Sequence, residues 1–201
     1  MRVIGITGGS GAGKSLACRF LRSRGGLLID CDKVYASLVD APSECTEAIS
    51  KVFGAYVLHP SGALDRKKLS EIVFNSKEKL ALLNSTVHPI IIDKVKEIIR
   101  TEADAGIRYF LIDAPQLFEA GADAICDCTV YVTADKDVRI KRIRERDGIS
   151  EEAAERRIAS QLSDEYFRNR CTYTITNNGT EKELEAECSR LLDLIGIKRN
   201  G

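Results

Sequence analysis

The feature that most constrains the fold of this chain is a glycine-rich segment at 3–16, which starts as an apolar run. Gly8 is followed, after four intervening residues, by Gly13, Lys14 and Ser15, which is the spacing of a phosphate-binding loop. That type of loop needs a strand before it and a helix after it. A β-branched run precedes the glycines and apolar residues at helical spacing follow them, so we predict a strand, a phosphate loop and a helix in that order.

The residue types of this loop suit a bound triphosphate. Glycine has no Cβ, so backbone N–H groups can wrap a phosphate closely, and the helix N-terminus adds N–H donors and the positive end of a dipole. Lys14 is placed to reach the β- and γ-phosphates, and the Ser15 hydroxyl is placed to ligate Mg²⁺. A glycine-rich turn that binds nothing explains neither the Lys-Ser pair nor the flanking elements. The loop residues that we predict to bind ATP are Gly8, Gly9, Ser10, Gly11, Ala12, Gly13, Lys14, Ser15 and Leu16.

The composition narrows the class of protein. In 201 residues, 30 Lys and Arg balance 30 Asp and Glu, so the chain has no global basic field and we expect no nucleic-acid partner. The apolar runs are shorter than a bilayer needs and the chain starts without a signal-like leader, so we expect a cytoplasmic protein that binds no membrane. The oligomeric state is not readable from these features, and we favour a monomer.

Seven cysteines are scattered along the chain without a C-x-x-C pair. Such an odd, dispersed set argues against a disulfide framework or a zinc site, and we expect small buried apolar side chains. Cys31 is left open, because it stands between Asp30 and Asp32 and is expected to be partly accessible.

Strands and helices alternate along the chain, and the phosphate loop occupies the first crossover. This order predicts an α/β fold of the P-loop NTPase type, with a doubly wound parallel sheet of five strands. The strands are predicted at 3–6, 27–29, 109–113, 129–132 and 173–176. We expect one domain at this length. Its core is predicted at about 1–41, 107–135 and 171–201, with a helical substrate-binding insert at about 42–106 and a helical lid at about 136–170.

The insert is predicted to be almost wholly helical and to cover a substrate. Its helices are expected at 44–53, from Asp65, from Ser76 towards Asn84, and from Pro89. We expect a helix boundary at His88, because the residue before a proline is disfavoured in the α region. Local chemistry alone leaves His88 as a structural residue.

Acidic residues fall at the predicted carboxyl ends of strands, which is the edge where open α/β sheets bind ligands. Asp113 ends the third strand, where P-loop enzymes hold Mg²⁺ directly or through water. We therefore predict Ser15 and Asp113 as metal ligands. Asp30 and Asp32 follow the second strand and would share one side if that strand continued so far. Asp32 could instead cap the next helix, and capping does not exclude catalysis.

A strongly basic helix is predicted at 135–146. At about 100° per residue, Arg139, Arg142 and Arg146 fall within about 60° of one another. One interpretation is a lid whose three arginines close over the phosphates of ATP. The other is a solvated, charged face.

Together these features predict a small-molecule kinase, because that reaction needs a phosphate loop, an acid, a cover for the acceptor and a clamp of positive charge. The chain lacks an Asn-Lys-x-Asp guanine signature, which weakens a GTPase interpretation. Two alternatives stay open. One is another nucleoside monophosphate or small-metabolite kinase on the same scaffold, and the other is a regulatory switch that binds ATP without transferring phosphate.

Over nearly its whole length the sequence resembles the dephospho-coenzyme A kinase family. The residues that carry the resemblance are 6–15, Ile-Asp-Cys-Asp at 29–32, Gly-Ala-Leu-Asp at 62–65, His88-Pro89, 113–119, Arg142, Arg-Asp-Gly at 146–148, Arg157-Ile158, Gln161 and Asn-Asn-Gly at 177–179. The resemblance implies transfer of the γ-phosphate of ATP to the ribose 3′-hydroxyl of dephospho-coenzyme A, the last step of coenzyme A synthesis.

The resemblance also implies roles for particular residues. Asp32 resembles the family's catalytic carboxylate, which accepts the hydroxyl proton, and it would act with Lys14 and Arg142. Arg142 and Arg146 resemble lid arginines. Acceptor contacts are predicted at Asp30, Asp32, His88, Pro115 and Leu117, and an approach to the adenine of ATP at Asn177 and Asn178. Gln116 stands where the family usually has Leu, and Thr176 where Asp is common, which leaves the detail of adenine recognition open.

Overall fold

A five-stranded parallel sheet forms the centre of the computed structural model, which describes residues 1–197. Its strands are β1 (Arg2–Thr7), β2 (Gly26–Asp30), β3 (Tyr109–Asp113), β4 (Cys128–Thr133) and β5 (Tyr173–Thr176). The strand order is β2-β3-β1-β4-β5, and every neighbouring pair is parallel. The prediction of a five-stranded, doubly wound α/β fold is confirmed.

Nine α-helices lie within the described residues. They are α1 (Lys14–Ser23), α2 (Cys31–Val39), α3 (Glu44–Phe53), α4 (Arg66–Val73), α5 (Lys77–Glu102), α6 (Lys136–Asp147), α7 (Glu151–Ala159), α8 (Asp164–Arg170) and α9 (Glu181–Leu194). Short 3₁₀ helices occupy Ala55–Val57 and Ala122–Ile125.

Different helices cover the two faces of the sheet. On one face the apolar residues of α1 and α9 join Tyr109 and Leu111 of β3 in one buried cluster. On the other face, α2 and the second half of α5 join Phe110 and Ile112. Successive β3 residues thus point to opposite faces, and all of them are buried, as expected for a central strand covered on both sides.

The insert has a hydrophobic core of its own between α3, α4 and the first half of α5. Its buried residues are Val39, Cys45, Ile49, Val57, Leu64, Leu69, Val73, Leu83 and Val87. Further along α5, Val95 joins the cluster on the sheet, so a single helix connects the insert to the core. The division into core, insert and lid at the predicted boundaries stays a prediction, and residues 198–201 of the predicted core lie outside the described residues.

The predicted helix boundary at His88 is wrong. Pro89 lies inside α5, which runs unbroken over 26 residues, although a proline removes one helical hydrogen bond. Val87 is buried in the insert core and Val95 against the sheet. Packing on both sides of Pro89 therefore outweighs the local preference on which the prediction rested.

The end of β2 also differs from the prediction. The strand stops at Asp30 and α2 begins at Cys31, so Asp30 and Asp32 do not extend one strand. The register places Asp30 beside Asp113 of β3, and Asp113 beside Ile6 of β1. Three strands therefore end together next to the phosphate loop.

The predicted basic helix is confirmed as α6, shifted by one residue at each end. It forms a hairpin with α7, in which Ile140 and Ile143 pack against Ala154. The helix α8 was not predicted as a separate element. Its Phe167 stacks on Tyr131 of β4, with ring centroids 4.9 Å apart, which ties the end of the predicted lid segment to the sheet.

All seven cysteines are free, and four of them are buried as predicted: Cys18, Cys45, Cys128 and Cys188. Cys31 is partly accessible, and burial together with nearby aspartates raises its pKa to about 12. A thiol with such a pKa is protonated at neutral pH and therefore a weak nucleophile. Within residues 1–197, no helix combines the length and the apolar character that crossing a membrane requires.

Candidate active site

The phosphate loop, residues 8–15, lies between β1 and α1. Gly13 has a φ of 89°, which residues with a Cβ rarely adopt, and a Cβ there would collide with the amide of Asn177. Asn177 is 4% exposed and donates from Nδ2 to the Ala12 carbonyl at 2.9 Å. Asn177, which follows β5, thus stabilises the conformation of the loop.

Two further carbonyls of the loop are bound by arginines of α6. Arg139 donates from Nε to the Ser10 carbonyl at 3.0 Å, and Arg142 donates from Nη1 to the Gly11 carbonyl at 3.4 Å. In a planar trans peptide the N–H points away from the C=O. With the Ser10 carbonyl turned towards Arg139, the N–H of the Ser10–Gly11 peptide points the other way, as an anion site requires. The N–H of the Gly11–Ala12 peptide instead donates to the Gly9 carbonyl at 3.2 Å.

The loop borders a cavity of about 460 Å³, the loop cavity. Its size lies in the range of ligand pockets. The residues that line it are Gly8, Gly9, Ser10, Gly11, Gly13, Lys14, Ser15, Leu16, Arg19, Pro115, Arg142, Arg146 and Gln161. Ala12 is fully buried, its N–H donates to the Gly9 carbonyl at 3.2 Å and its own carbonyl accepts from Asn177, so its contact with a nucleotide stays a prediction.

Lys14 forms an ion pair with Asp113 at the end of β3. Both side chains are largely buried, whereas Ser15 is exposed at the start of α1. Within residues 1–197, no group of three or more His, Cys, Asp or Glu side chains could hold a metal ion. One hydroxyl and one carboxylate nevertheless suit Mg²⁺, which takes few protein ligands and completes its shell with phosphate oxygens and water. The residues present therefore fit a metal ion that arrives with a nucleotide.

A second cavity, of about 240 Å³, lies between the sheet edge and the insert, and we call it the insert cavity. Its walls are mostly apolar, with a few polar side chains. The lining residues are Cys31, Asp32, Tyr35, Leu83, Asn84, Val87, His88, Ile91, Ile92, Ala114, Pro115, Gln116, Ala120 and Ala122. Pro115 lines both cavities, so the two are adjacent at this residue.

Asp30, and not Asp32, caps α2. Its carboxylate accepts a hydrogen bond from the backbone N–H of Lys33 at 3.1 Å, and its second oxygen lies 3.2 Å from the Lys33 ammonium. The alternative that Asp32 is the cap is therefore wrong. Asp32 lies in the first turn of α2 and lines the insert cavity, whereas Asp30 lines neither cavity.

The surroundings of Asp32 disfavour its charged form. Partial enclosure and repulsion from Asp30 raise the pKa of Asp32, with a further contribution from Asp113, while Lys14 acts in the opposite direction. A carboxylate with a raised pKa accepts a proton more readily at neutral pH than an ordinary aspartate does. Of Asp30, Asp32 and Asp113, only Asp32 both lines a cavity and has a raised pKa.

Two other residues predicted to contact an acceptor, His88 and Leu117, lie in different surroundings. His88 lines the insert cavity, where burial lowers its pKa and Gln116 and Glu119 act in the opposite direction. Leu117 is fully buried and packs beneath Gly5. The predicted contact through the Leu117 side chain is therefore wrong, because the chain turns that residue into the core.

The three arginines predicted to share one face of α6 have different surroundings. Arg142 and Arg146 line the loop cavity. Arg146 also donates to Asp147, at 2.7 and 2.9 Å. Arg139 is 5% exposed, and its guanidinium is bound to Ser10, to Gln161 and to Asp164 at 3.2 Å. Three of its five N–H donors bind protein oxygens and Arg139 does not line the loop cavity, so its contact with ATP stays a prediction.

The side chains of Asn177 and Asn178 are both engaged within the protein. Asn177 binds the loop, and Asn178 accepts from the backbone N–H of Asp135 at 2.8 Å, just before α6. The predicted approach of this segment to adenine stays a prediction, and it would fall to backbone groups.

Sequence reasoning missed several lining residues. Gln161 and Arg19 line the loop cavity, and Tyr35 and Asn84 line the insert cavity. Arg19 could have been found, because it lies four residues after Ser15 and so on the same side of α1. Tyr35 and Asn84 come from separate helices, α2 and α5, and no local pattern relates them.

The raised pKa of Asp32 predicts how stability depends on pH. A folded-state pKa above the unfolded-state value means that the folded protein binds more protons, so the ionised carboxylate destabilises the fold at neutral pH. We expect Asp32→Asn to have a higher melting temperature than the wild type at pH 7. The difference should shrink as pH falls below the folded-state pKa of Asp32 and should vanish below its unfolded-state pKa, because both states then carry a neutral carboxyl group. Thermal unfolding at several pH values measures this.

Asp104→Asn, an exposed exchange after α5, is the matched control for loss of one charge. A lower melting temperature of Asp32→Asn at pH 7 would contradict the prediction and would mean that attraction to Lys14 dominates.

Comparison with known proteins identifies the family. The family model for dephospho-CoA kinase matches residues 2–183. A dephospho-CoA kinase of Fusobacterium nucleatum is 39% identical over 193 residues, which are 96% of this chain and 98% of the relative. A dephospho-CoA kinase of Corynebacterium glutamicum is 36% identical over 189 residues, which are 94% of each chain.

Solved structures agree with the sequence comparisons. A Thermus thermophilus protein has a TM-score of 0.77 at 30% identity, covering 100% of this chain and 98% of the other. The dephospho-CoA kinase from Campylobacter jejuni has a TM-score of 0.70 at 28% identity, covering 96% of each chain. The family match spans the phosphate loop, both cavities and the paired helices α6 and α7, and the chain belongs to the dephospho-CoA kinase family.

Proposed function

We propose that this protein transfers the γ-phosphate of ATP to the ribose 3′-hydroxyl of dephospho-coenzyme A, giving coenzyme A and ADP. The observation that carries the proposal is the junction of the two cavities at Pro115. Lys14 lines the cavity on one side of this junction and Asp32 the cavity on the other. A phosphate donor and an alcohol acceptor bound in these cavities meet where a carboxylate can take the hydroxyl proton.

The donor triphosphate is assigned to the loop cavity. Backbone N–H groups of the loop and the N-terminus of α1 bind its phosphates, and Lys14 exchanges its contact with Asp113 for the β- and γ-phosphates. Mg²⁺ held by Ser15 and, directly or through water, by Asp113 would neutralise charge on the phosphate oxygens. Release of the Lys14 ammonium from Asp113 frees that carboxylate for the metal ion.

The acceptor is assigned to the insert cavity. Its apolar walls, among them Tyr35 and Ile91, suit the flat adenine end of dephospho-coenzyme A, and Asp32 lies where the ribose would reach the junction. Polar groups are few in this cavity, so Asn84, His88 and Gln116 are the side chains that orient the acceptor. Few, fixed polar groups in an apolar pocket are the usual source of such orientation.

Phosphoryl transfer then needs one proton acceptor and a clamp of positive charge. Asp32 accepts a hydrogen bond from the 3′-hydroxyl and takes its proton as the oxygen attacks the γ-phosphorus. A bond forms between that oxygen and phosphorus, and the bond to the oxygen that leaves with ADP breaks. In a loose transition state the proton leaves late, so orientation of the oxygen is the larger part of the role of Asp32.

The arginines of α6 stabilise the transferring group. Arg142 lies at the loop, where it already contacts the carbonyls of Gly11 and Asn177, so a small rotation brings its guanidinium to a γ-phosphate. Arg146 follows one helical turn later in the same cavity. Closure of α6 and α7 over the site would also exclude water and so limit ATP hydrolysis.

The overall reaction is tested by ADP release coupled to a spectroscopic readout, with and without dephospho-coenzyme A. We expect acceptor-dependent ADP formation with dephospho-coenzyme A, and little with nucleosides, nucleoside monophosphates or shikimate. A ³¹P spectrum of the product should show a new phosphate monoester on the ribose 3′-oxygen. Turnover with a different acceptor would favour another small-metabolite kinase, and ATP binding without acceptor-dependent turnover would favour a regulatory switch.

The role of Asp32 predicts a loss of turnover in Asp32→Asn. We expect kcat to fall by about 10²- to 10⁴-fold, the range for loss of a positioned acid or base, with little change in KM for ATP. Steady-state kinetics at saturating acceptor separate the two parameters. A change confined to KM would show that Asp32 serves binding alone.

The proposed contact of Arg142 with the transferring phosphoryl group predicts slower phosphoryl transfer in Arg142→Ala. We expect the single-turnover rate to fall by about 10³-fold while the fold stays intact, with some loss of melting temperature because the contacts with the Gly11 and Asn177 carbonyls are removed. Arg144→Ala is the matched control, because Arg144 lies on the same helix but pairs with the exposed Glu151 at 2.7 Å. Equal rates for the two variants would mean that the arginines of α6 form only a solvated face.

The cytoplasmic location and the monomeric state expected from the sequence stay predictions. Size-exclusion chromatography with light scattering tests the second of these directly.

A further inference from the structure

Gln161 occupies a position that the proposed mechanism does not use. It follows α7, and its side chain reaches the phosphate loop and lines the loop cavity beside Lys14, Arg142 and Arg146. Its partner in the loop is Ser10, which lies on the arm of the loop that comes from β1. A residue 151 positions along the chain from Ser10 thus supplies part of the wall of the donor site.

The orientation of the Gln161 amide is determined by its neighbours. Its Oε1 accepts from the backbone N–H of Ser10 at 3.2 Å and from Nη2 of Arg139 at 2.8 Å. A flipped amide would place an NH₂ group against two donors, which is unfavourable. The oxygen therefore faces the loop and Arg139, and the NH₂ group faces the Ser10 hydroxyl, to which Nε2 donates at 3.3 Å.

Arg139 in turn is held in place by Asp164. Its Nη1 lies 3.2 Å from Oδ1 of Asp164, and Asp164 accepts from the hydroxyls of Tyr131 at 2.6 Å and Thr133 at 3.1 Å. Tyr131 and Thr133 of β4 thus hold the Asp164 carboxylate in place, and Asp164 holds the Arg139 guanidinium. Arg139 in turn orients the Gln161 amide. A chain of hydrogen-bonded side chains of this kind restricts the orientation of the group at its end.

The NH₂ group of Gln161 carries two N–H donors, and one of them is used by the Ser10 hydroxyl. The second is the donor that Gln161 can offer to a ligand in the loop cavity. The N-terminus of α1 binds the inner phosphates at one arm of the loop and Lys14 spans the β- and γ-phosphates, which leaves the terminal phosphate next to the Ser10 arm. Arg142 and Arg146, which line the same cavity, reach that phosphate from the same hairpin side.

We propose that Gln161 binds the terminal phosphate of the nucleotide through its Nε2 N–H and so distinguishes ATP from ADP, an inference that rests on the loop being the donor site proposed above. The Ser10 hydroxyl and the Arg139 network hold the amide in the binding orientation. After transfer, the product ADP lacks this contact. Gln161 therefore contributes to binding the donor and not to retaining the product.

The proximity of Gly9 agrees with this arrangement. A Cβ at Gly9 would collide with Nη2 of Arg139 and would lie 2.8 Å from Oε1 of Gln161, so it would displace both side chains. Glycine at this position thus admits the Gln161 side chain to the loop. The loop and Gln161 form one surface, built from two distant segments.

The variant that tests the inference is Gln161→Glu. Its carboxylate still accepts from the Ser10 N–H and from Arg139, so the loop keeps its support, but the donor to phosphate is lost and a negative charge takes its place. Calorimetric titration of the whole protein with ATP and with ADP, in excess Mg²⁺ and without acceptor, measures the effect. We expect the affinity for ATP to fall at least about ten-fold more than the affinity for ADP.

Asn169→Asp is the matched control, because it makes the same exchange of amide for acid on the exposed face of α8. Gln161→Met, which is neutral and of similar length, is the second variant. It should also reduce the preference for ATP over ADP, and it decides the question if the melting temperature shows that Gln161→Glu is not folded.

Equal losses for ATP and ADP, or no loss for either, would overturn the inference and leave Gln161 as a support of the loop. The result is independent of the acceptor. Selective loss of ATP binding would stand even if dephospho-coenzyme A were not the substrate, whereas failure of the acceptor assay with normal nucleotide binding would count against the proposed reaction alone.

Discussion

Three consecutive carbonyls of the phosphate loop are bound by side chains from outside the loop, and the rest of the site depends on this arrangement. Ser10 is bound by Arg139, Gly11 by Arg142 and Ala12 by Asn177. A glycine-rich loop has many conformations to lose on ordering. Side chains that hold its carbonyls select one of them, and the opposite N–H groups are then preorganised for an anion.

The same contacts join parts of the protein that are distant along the chain. Arg139 and Arg142 belong to α6, and Asn177 follows β5, so the nucleotide site is assembled only when β4, α6 and β5 are packed beside β1. The parallel sheet provides that packing, because β4 lies between β1 and β5. The helix α6, which the sequence predicts as part of a lid, is therefore bound to the loop through residues in its first two turns.

Two neighbouring aspartates of the site have different surroundings. Asp30 ends β2, caps α2 and binds Lys33, so its charge is stabilised by the helix N-terminus. Asp32, one turn into the helix, lines the insert cavity, where its pKa is raised by enclosure and by Asp30. One aspartate thus serves the fold and also tunes the other. Such opposed environments are typical of sites that need a proton acceptor near neutral pH.

The amino-acid sequence by itself determined the phosphate loop, the order of strands and helices along the chain, and the family, because each depends on spacing between near neighbours. It also indicated Asp32, Lys14, Arg142 and Asp113 as site residues, since acids and cations next to glycines or strand ends have few structural explanations. Only the tertiary structure decided that Pro89 lies inside a helix, that Leu117 is in the core, and that Arg139 supports the loop while Gln161 faces the cavity. These outcomes depend on what packs against each residue from distant segments, and local preference carries no information about that.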